Sequence, residues 1–403
     1  MLGSKLRRED EMYVWPEELI VEILVRLPVF ALLRFRTSEC IAAEEEVWRH
    51  QNLLLIHEEE DQKKQSSADD SYSASCLRHL KLPHVDTDSL LGCKGSCNGI
   101  LWFDGLNGRL TRLCNPITQE YFELPYETSL FGDKERFHTA ASGFGFDEFT
   151  NDYKYISIVK ESTPYPIKQF AAQIYKLSTN SWSVIEKQHD HNGFDLNSIT
   201  SFPGFTGGVL FNGSLHWRNH SHTNPGRVIQ FLILTFDLHT ETFGSIGVHH
   251  QINYHYTLGR DGVLRNDPRR TWKLTVLGDC LAIVITNYPT IAGKMLFDVW
   301  VMKEYENQES WTKRCSVGPF SHQPCLCLLT CWHDDELLAL TDDDNRDLVS
   351  CKLPLKNGPE EEEDEQVITT FDIGCKHVKS KFCVQAVIFQ PSFVSIGGGR
   401  RNL

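Results

Sequence analysis

No run of about eighteen apolar residues occurs anywhere along this 403-residue sequence, which excludes a membrane-spanning helix. Basic residues are scarce beside acidic ones, 40 against 54. The resulting formal charge of −14 argues against nucleic acid as the main partner, since phosphate contact needs a basic face. The opening MLGSKLRREDEMYVWPEE turns acidic with no apolar stretch behind its basic residues, so no secretory signal is expected. Thirteen cysteines, an odd number scattered through a long sequence, read as reduced thiols rather than a disulfide framework. Also missing are GxxxxGKS/T, HExxH, GxSxG and GxGxxG in the contexts those motifs require. What remains, at 41% apolar and 23% charged residues, is a foldable chain of one large domain or two to three smaller ones. It is expected to be soluble, intracellular and acidic.

The first fifty residues have a helical pattern. Leu19, Ile20, Ile23, Leu24 and Leu27 form one amphipathic stripe. Pro16 suits the first turn of that helix, where its missing N–H costs nothing, and Glu17 and Glu18 suit the positive end of the dipole. Pro28 ends the helix and opens a second, whose apolar face is Leu32, Leu33 and Phe35. Two short helices bury little area alone and need the rest of the protein or a partner. The stretch EEEDQKKQSSADDSYSAS, residues 58–75, nearly lacks large aliphatics and reads as a hinge between modules or a loop insertion. The expected division is a helical module over 12–55, a linker over 56–76 and a β domain over 77–396.

In the β domain three segments superimpose: CNPITQEYFEL, YKLSTNSWSVI and FDLHTETFGSI, starting 61 residues apart at Cys114, Tyr175 and Phe236. Thr118, Thr179 and Thr240 coincide, as do the aromatics Tyr121, Trp182 and Phe243 and the aliphatics Leu124, Ile185 and Ile246. Each segment reads as a β-hairpin whose turn centres on the Thr, with a hydroxyl able to bond the backbone two residues on. Upstream, CNGILWF (97–103) and FNGSLHW (211–217) share Asn-Gly before alternating apolar residues, with looser versions at 277–283 and 333–340. Two hairpins per repeat make a four-stranded sheet, and repeated four-stranded sheets make a β-propeller. The blades fall near 92–125, 140–186, 207–247, 273–317 and 327–373. FCVQAVIFQPSFVSI is expected as a closing strand.

Candidate chemistry is thin. GFGFDEF (143–149) holds part of a phosphate loop, but Asn151 and Asp152 follow it rather than a helix, so it reads as strand and turn. Cys325, Cys327 and Cys331, like Cys93 and Cys97, offer soft metal ligands in one reading and buried small hydrophobes in the better one. His216, His220 and His222, and His249, His250 and His255, read as solvated loop histidines on one propeller face rather than metal ligands. The acidic run Glu360–Glu365 reads as a solvated loop. No residue is nominated as catalytic, and no cofactor or metal is expected.

On these residues the protein resembles plant F-box proteins that carry an F-box-associated, kelch-like C-terminal domain. The N-terminal match is WPEELIVEILVRLPVFALLRFR (15–36). The C-terminal one runs through GSCNGILWF, NPITQEYFELP, GFGFDEFTNDYK, QIYKLSTNSWSVI, FNGSLHW, ILTFDLHTETF and DVWVMKEYENQESWTK, so that about 15–36 and 92–390 are covered. The resemblance implies a kelch-like β-propeller behind a small α-helical F-box. It implies docking on a Skp-type adaptor, and through it a cullin, by Pro16, Leu19, Ile20, Ile23, Leu24, Leu27, Pro28, Leu32, Leu33 and Phe35. It further implies capture of an unidentified protein substrate by the propeller, no catalysis by the protein itself, no nucleic acid or membrane partner, and a cytoplasmic or nuclear location. One departure stands out: after Arg36 the family's Val-Ser-Lys-x-Trp is replaced by TSECIAAEEEVWRH, leaving Trp48 to anchor a shortened, acidic third helix.

Overall fold

The computed structural model describes residues 53–56, 77–80, 91–105, 110–125, 137–161, 170–185, 196, 199–201, 206–222, 229–252, 256–258, 264–266, 270–288, 295–320, 326–332, 336–341, 348–354, 368–371, 392–397 and 400–401. Before the first blade, β1 (Leu53–Ile56) and β2 (Leu77–Leu80) pair antiparallel. Residues on both sides of the expected linker thus meet in one two-stranded ladder, so 53–55 do not close the helical module as the sequence suggests. The rest of that module lies outside the described residues.

Five sheets follow, and they make a five-bladed propeller. Blade 1 is β3 (Leu91–Cys97), β4 (Ile100–Gly105), β5 (Thr111–Asn115) and β6 (Glu120–Glu123). Blade 2 is β7 (Phe137–Asp147), β8 (Asp152–Glu161), β9 (Phe170–Lys176) and β10 (Ser181–Ile185). In blade 3 the inner edge is split between β11 (Ile199–Ser201) and β13 (Val209–Phe211), with β12 (Thr206–Gly207) between them in sequence. Its other strands are β14 (Ser214–His222), β15 (Ile229–Asp237) and β16 (Thr242–Gly247). A small ladder, β17 (Tyr256–Leu258) with β18 (Leu264–Asn266), precedes blade 4. Blade 4 is β19 (Arg270–Leu277), β20 (Cys280–Asn287), β21 (Met295–Met302) and β22 (Trp311–Phe320). Blade 5 is β23 (Leu326–Trp332), β24 (Glu336–Thr341), β25 (Leu348–Lys352) and β26 (Ile368–Phe371).

The closing strand differs from expectation. β27 (Arg400–Arg401) pairs with β6 as a fifth strand on the outer edge of blade 1, with Arg400 opposite Tyr121 and Arg401 opposite Glu120. The preceding segment 392–396 runs over the same blade without regular structure. Asn115 Nδ2 donates to the carbonyls of Ser392 and Val394 at 3.0 and 2.7 Å, and Ile396, fully buried, donates its N–H to Glu120.

Burial follows position in the blade. The second strand of blade 4, CLAIVITN, is buried along six consecutive residues because neighbouring blades cover both its faces. The outer strand β10, SWSVI, is largely exposed. Among the described residues four apolar seams between blades carry the core: Ile100, Trp102 and Leu113 against Tyr155 and Tyr175; Ile156 and Ile174 against Leu215, Trp217 and Phe236; Phe231 and Ile233 against Trp272, Ile283 and Trp300; Val284, Phe297 and Val299 against Cys331, Leu337 and Val349. Blades 2 and 3 are also stitched by hydrogen bonds, since β12 pairs parallel with β7 and the Gly208 N–H donates to Ser142 at 2.7 Å. Glycine is needed there: a Cβ on Gly207 would stand 2.8 Å from the Lys94 carbonyl oxygen of blade 1.

The repeat is real at residue level. Cys114, Tyr175 and Phe236 lie opposite Tyr121, Trp182 and Phe243, so the three hairpins share one register. Each turn ends on a left-handed residue, Gln119, Asn180 or Glu241, with φ of 56°, 50° and 57°. The threonines do not bond the backbone two residues on. Thr240 Oγ1 instead donates back to Asp237 Oδ1 at 2.9 Å, and Thr179 Oγ1 back to the Lys176 carbonyl at 3.5 Å. The turn opens on a side chain that accepts from the backbone ahead of it, as Asn115 Oδ1 does from Ile117 and Thr118 and Asp237 Oδ1 from His239 and Thr240. Trp182 packs on Tyr155 and Tyr175 in the blade 1–2 seam, and Phe243 lies 4.8 Å from Phe236 in the blade 2–3 seam. Tyr121 departs: its ring meets the Arg112 guanidinium at 5.8 Å on a strand covered by β27.

Candidate functional site

Successive strands in each blade run antiparallel, so the first and third turns of a blade emerge at one end of the propeller. The middle connection and the crossover to the next blade emerge at the other. The first end carries the tight turns 98–99, 116–119, 148–151, 177–180, 212–213, 238–241 and 278–279, and also the longer connections 303–310 in blade 4 and 353–367 in blade 5. The second carries longer connections, among them 124–136, 162–169, 186–198 and 288–294. Longer connections tolerate variation while a sheet scaffold fixes their roots, and in blades 1 to 3 they fall at this second end.

The tight-turn end is held by charges. Lys154 on β8 is buried, and its ammonium donates to Asp147 at 2.9 Å and, across the blade 2–3 seam, to Glu241 at 2.8 Å and the Leu238 carbonyl at 2.6 Å. Lys176 adds a second cation 2.7 Å from Glu241. Burial alone would raise the Asp147 carboxyl, but hydrogen bonds from the Thr150 hydroxyl, Lys154 and the Phe149 N–H, with the Lys154 charge, hold it at about 2. Every member has a protein partner, which marks this cluster as a structural clamp. Beside it Phe149 is 81% exposed and its ring lies 4.3 Å from that of His239.

Nearer the other end, in the blade 1–2 seam, Asp104 on β4 is buried and accepts from Thr111 at 2.8 Å, Tyr155 at 3.0 Å and Ser142 at 2.5 Å. Burial raises its pKa, and the three hydroxyl bonds pull the other way. A carboxyl surrounded by hydroxyls and closed off from solvent locks two blades together and reaches no substrate.

The sequence-derived candidates separate cleanly. The ten adaptor-contact residues, Pro16 to Phe35, lie outside the described residues, as do Cys325, His255 and the run Glu360–Glu365, and the side chains of Cys327, His220 and His222. GFGFDEF is strand and turn, the end of β7 and the start of turn 148–151. Cys97 and Cys331 are buried hydrophobes whose thiols burial pushes up to about 12, and burial does the same to Cys93; such thiols are poor nucleophiles. His216 corrects the reading of solvated loop histidines. It sits in mid-strand on β14, fully buried, with Nδ1 3.2 Å from the Val209 carbonyl and Nε2 2.9 Å from the Tyr305 hydroxyl. Burial lowers its pKa to about 4, so the ring is neutral. His250 is exposed, whereas His249 is half-buried against Trp300. Among the described residues no three His, Cys, Asp or Glu side chains are placed to hold a metal ion.

Comparison with known proteins gives one extended family match, to the F-box associated beta propeller domain, over residues 58–396. Among curated Arabidopsis thaliana proteins, the sequence is 28% identical over 331 residues to F-box protein At3g07870, spanning 76% of this protein and 73% of that one. It is 27% identical over 312 residues to F-box protein CPR1, covering 70% and 68% respectively. A third relative, F-box/kelch-repeat protein At3g23880, is 26% identical over 333 residues, covering 75% and 79%. Among solved structures, the Nup133 beta-propeller domain of Vanderwaltozyma polyspora superimposes with a TM-score of 0.32 at 9% identity, over 70% of this protein and 85% of that one. That superposition has no bearing on function.

Proposed function

We infer the function from one premise: this chain belongs to the F-box associated beta propeller family. In our reading it is the substrate-recognition subunit of a Skp-cullin-F-box ubiquitin ligase, working in the cytoplasm, the nucleus or both. The N-terminal helices dock on the Skp-type adaptor by laying an apolar stripe into a groove, and the propeller holds a substrate protein. The protein performs no chemistry. It raises the concentration of substrate near an enzyme that other subunits hold. The observation that carries this reading is the family match over 58–396 together with relatives that are themselves named F-box proteins. The longer connections between the strands supply a surface such a role could use.

The test is co-expression of the full-length protein with a Skp-type adaptor, followed by affinity purification. The wild type should retain the adaptor. Leu27→Asp places an unpaired charge in the apolar interface, at a cost of several kcal/mol, and should lose it while the propeller stays folded. Adaptor retained by Leu27→Asp would refute this docking mode. A second reading rests on TSECIAAEEEVWRH in place of the usual third-helix start: a propeller that binds its partner without ubiquitination. A folded wild-type protein that never retains the adaptor would favour it.

A further inference from the structure

Of the five Asn-Gly pairs in the sequence, at 98–99, 107–108, 192–193, 212–213 and 357–358, two lie among the described residues; these two turns share one backbone conformation and differ in what covers them. Asn98-Gly99 joins β3 to β4 and Asn212-Gly213 joins β13 to β14, with φ of 49° and 78° in the first and 49° and 72° in the second. At the first turn Asn98 is exposed, as Asn212 is, but Gly99 is buried. A Cβ there would overlap Ser392 Oγ and stand 2.8 Å from the Ser392 nitrogen. The Ser392 hydroxyl donates to the Asn98 carbonyl, and the Tyr153 hydroxyl bonds the Asn98 side chain. At the second turn Asn212 and Gly213 are both exposed, and a Cβ on Gly213 would meet nothing within 4 Å. Among the described residues, nothing holds the Asn212 side chain.

We propose that Asn212 is a site of spontaneous, one-way deamidation to aspartate and isoaspartate, and that Ser392 protects Asn98 from the same reaction. The Gly213 backbone nitrogen attacks the carbonyl carbon of the Asn212 amide. A new bond forms between them, the bond from that carbon to the amide NH2 breaks, and ammonia leaves with the backbone proton. Water then opens the succinimide at either carbonyl. Glycine favours the step because no Cβ hinders the attacking nitrogen or its rotation. At Asn98 the same attack requires the nitrogen of buried Gly99 to turn beneath Ser392 while two hydrogen bonds of Asn98 are given up.

The product changes the blade. Either acid adds a negative charge at the tight-turn end, and isoaspartate also lengthens the backbone of a two-residue turn by one carbon. That turn fixes Phe211 opposite Ser214, Leu210 opposite Leu215 and Val209 opposite His216, and the His216 ring bonds Val209 and Tyr305. The inner edge of blade 3 is therefore the element the reaction loosens.

The experiment is ageing of the purified full-length protein at neutral pH. Peptide mapping by mass spectrometry would follow each Asn-Gly pair, and isoaspartyl methyltransferase would label isoaspartate. Conversion at Asn212 should be about tenfold faster than at Asn98, a difference of about 1.4 kcal/mol in activation free energy. In urea the two rates should converge. Ser392→Ala should accelerate Asn98 and leave Asn212 unchanged; if that variant fails to fold, Tyr153→Phe should do the same by freeing the Asn98 side chain. Equal rates in the native protein, no isoaspartate at 212, a ratio that survives in urea, or an Asn98 that stays as slow in the folded variant would overturn the proposal.

Discussion

Replacing Lys154 by Met should unseat the blade 2–3 seam more than any surface charge change. The ammonium holds three partners between 2.6 and 2.9 Å and its side chain is 2% exposed, while that of Asp147 is fully buried. Methionine fills similar volume but leaves Asp147 without its counter-charge and the Leu238 carbonyl without its donor. Removing one partner of a buried pair costs about 3–5 kcal/mol, because the charge left behind stays desolvated. Lys176→Met is the matched control. That side chain is 33% exposed and its pair with Glu241 is worth at most about 1 kcal/mol. Urea unfolding at neutral pH measures both variants. Acid gives a second, independent reading. The Asp147 pKa, about 2 against an ordinary 3.8, corresponds to about 2.5 kcal/mol of stability in the wild type. Because the folded value is depressed, that stability is fully present above about pH 4 and is lost as pH falls toward 2. In Lys154→Met only the Thr150 hydroxyl and the Phe149 N–H still hold the carboxyl down, so its pKa rises and the gap between variant and wild type should narrow over that window. A Lys154→Met cost no larger than that of Lys176→Met, or a gap unchanged between pH 7 and 3, would refute the clamp.

His216→Leu should flatten the acid side of the stability profile. The folded pKa of about 4 lies below the ordinary 6.5, so the wild type loses about 3 kcal/mol as pH falls between those values, which stability measured at pH 7 and pH 4.5 would show. Trp182→Ala removes an indole that packs on Tyr155 and Tyr175 and donates to the Pro125 carbonyl at 2.7 Å, and should cost about 3 kcal/mol in urea unfolding. Asn180→Ala, in the turn beside it, should cost about 1–2 kcal/mol, because Asn180 sits at φ 50° and accepts from the Tyr175 hydroxyl; Asn180→Gly should recover the backbone share. Asn115→Ala frees the Ser392 and Val394 carbonyls and should cost about 2–4 kcal/mol, with faster limited proteolysis within 392–401 as the direct readout.

The propeller is legible in the sequence because its hairpins are written locally. Asn98-Gly99 and Asn212-Gly213 carry the two left-handed residues that a tight hairpin turn requires, and the aligned Thr118, Thr179 and Thr240 mark turns of one register. A further copy lies outside those three aligned segments. Thr150 stands in the same place after Asp147, donating to it at 2.7 Å, and DEFTND against DLHTET is the signal that marks it. His216 misleads because SLHW alternates as a half-exposed strand would, whereas an inner strand of a propeller is covered on both faces. Lys154 and Glu241, 87 residues apart, meet only once two blades are side by side. The parallel pairing of Thr206 and Gly207 with β7 is equally non-local. Nothing in a sequence window announces either.

The strand that finishes blade 1 is drawn from nearly three hundred residues downstream: Asn115 waits for Ser392, 277 positions away. A ribosome adding about 5–20 residues per second takes roughly 15–55 s to cover that distance. Throughout that interval β6 is the unpaired outer border of the first blade to emerge, while blades 2 to 4 receive all their strands in turn. The nascent protein therefore has a defined period of vulnerability, set by translation speed rather than by its own folding rate. Synonymous codon changes that slow elongation between blade 2 and residue 392 would prolong it without altering a single amino acid.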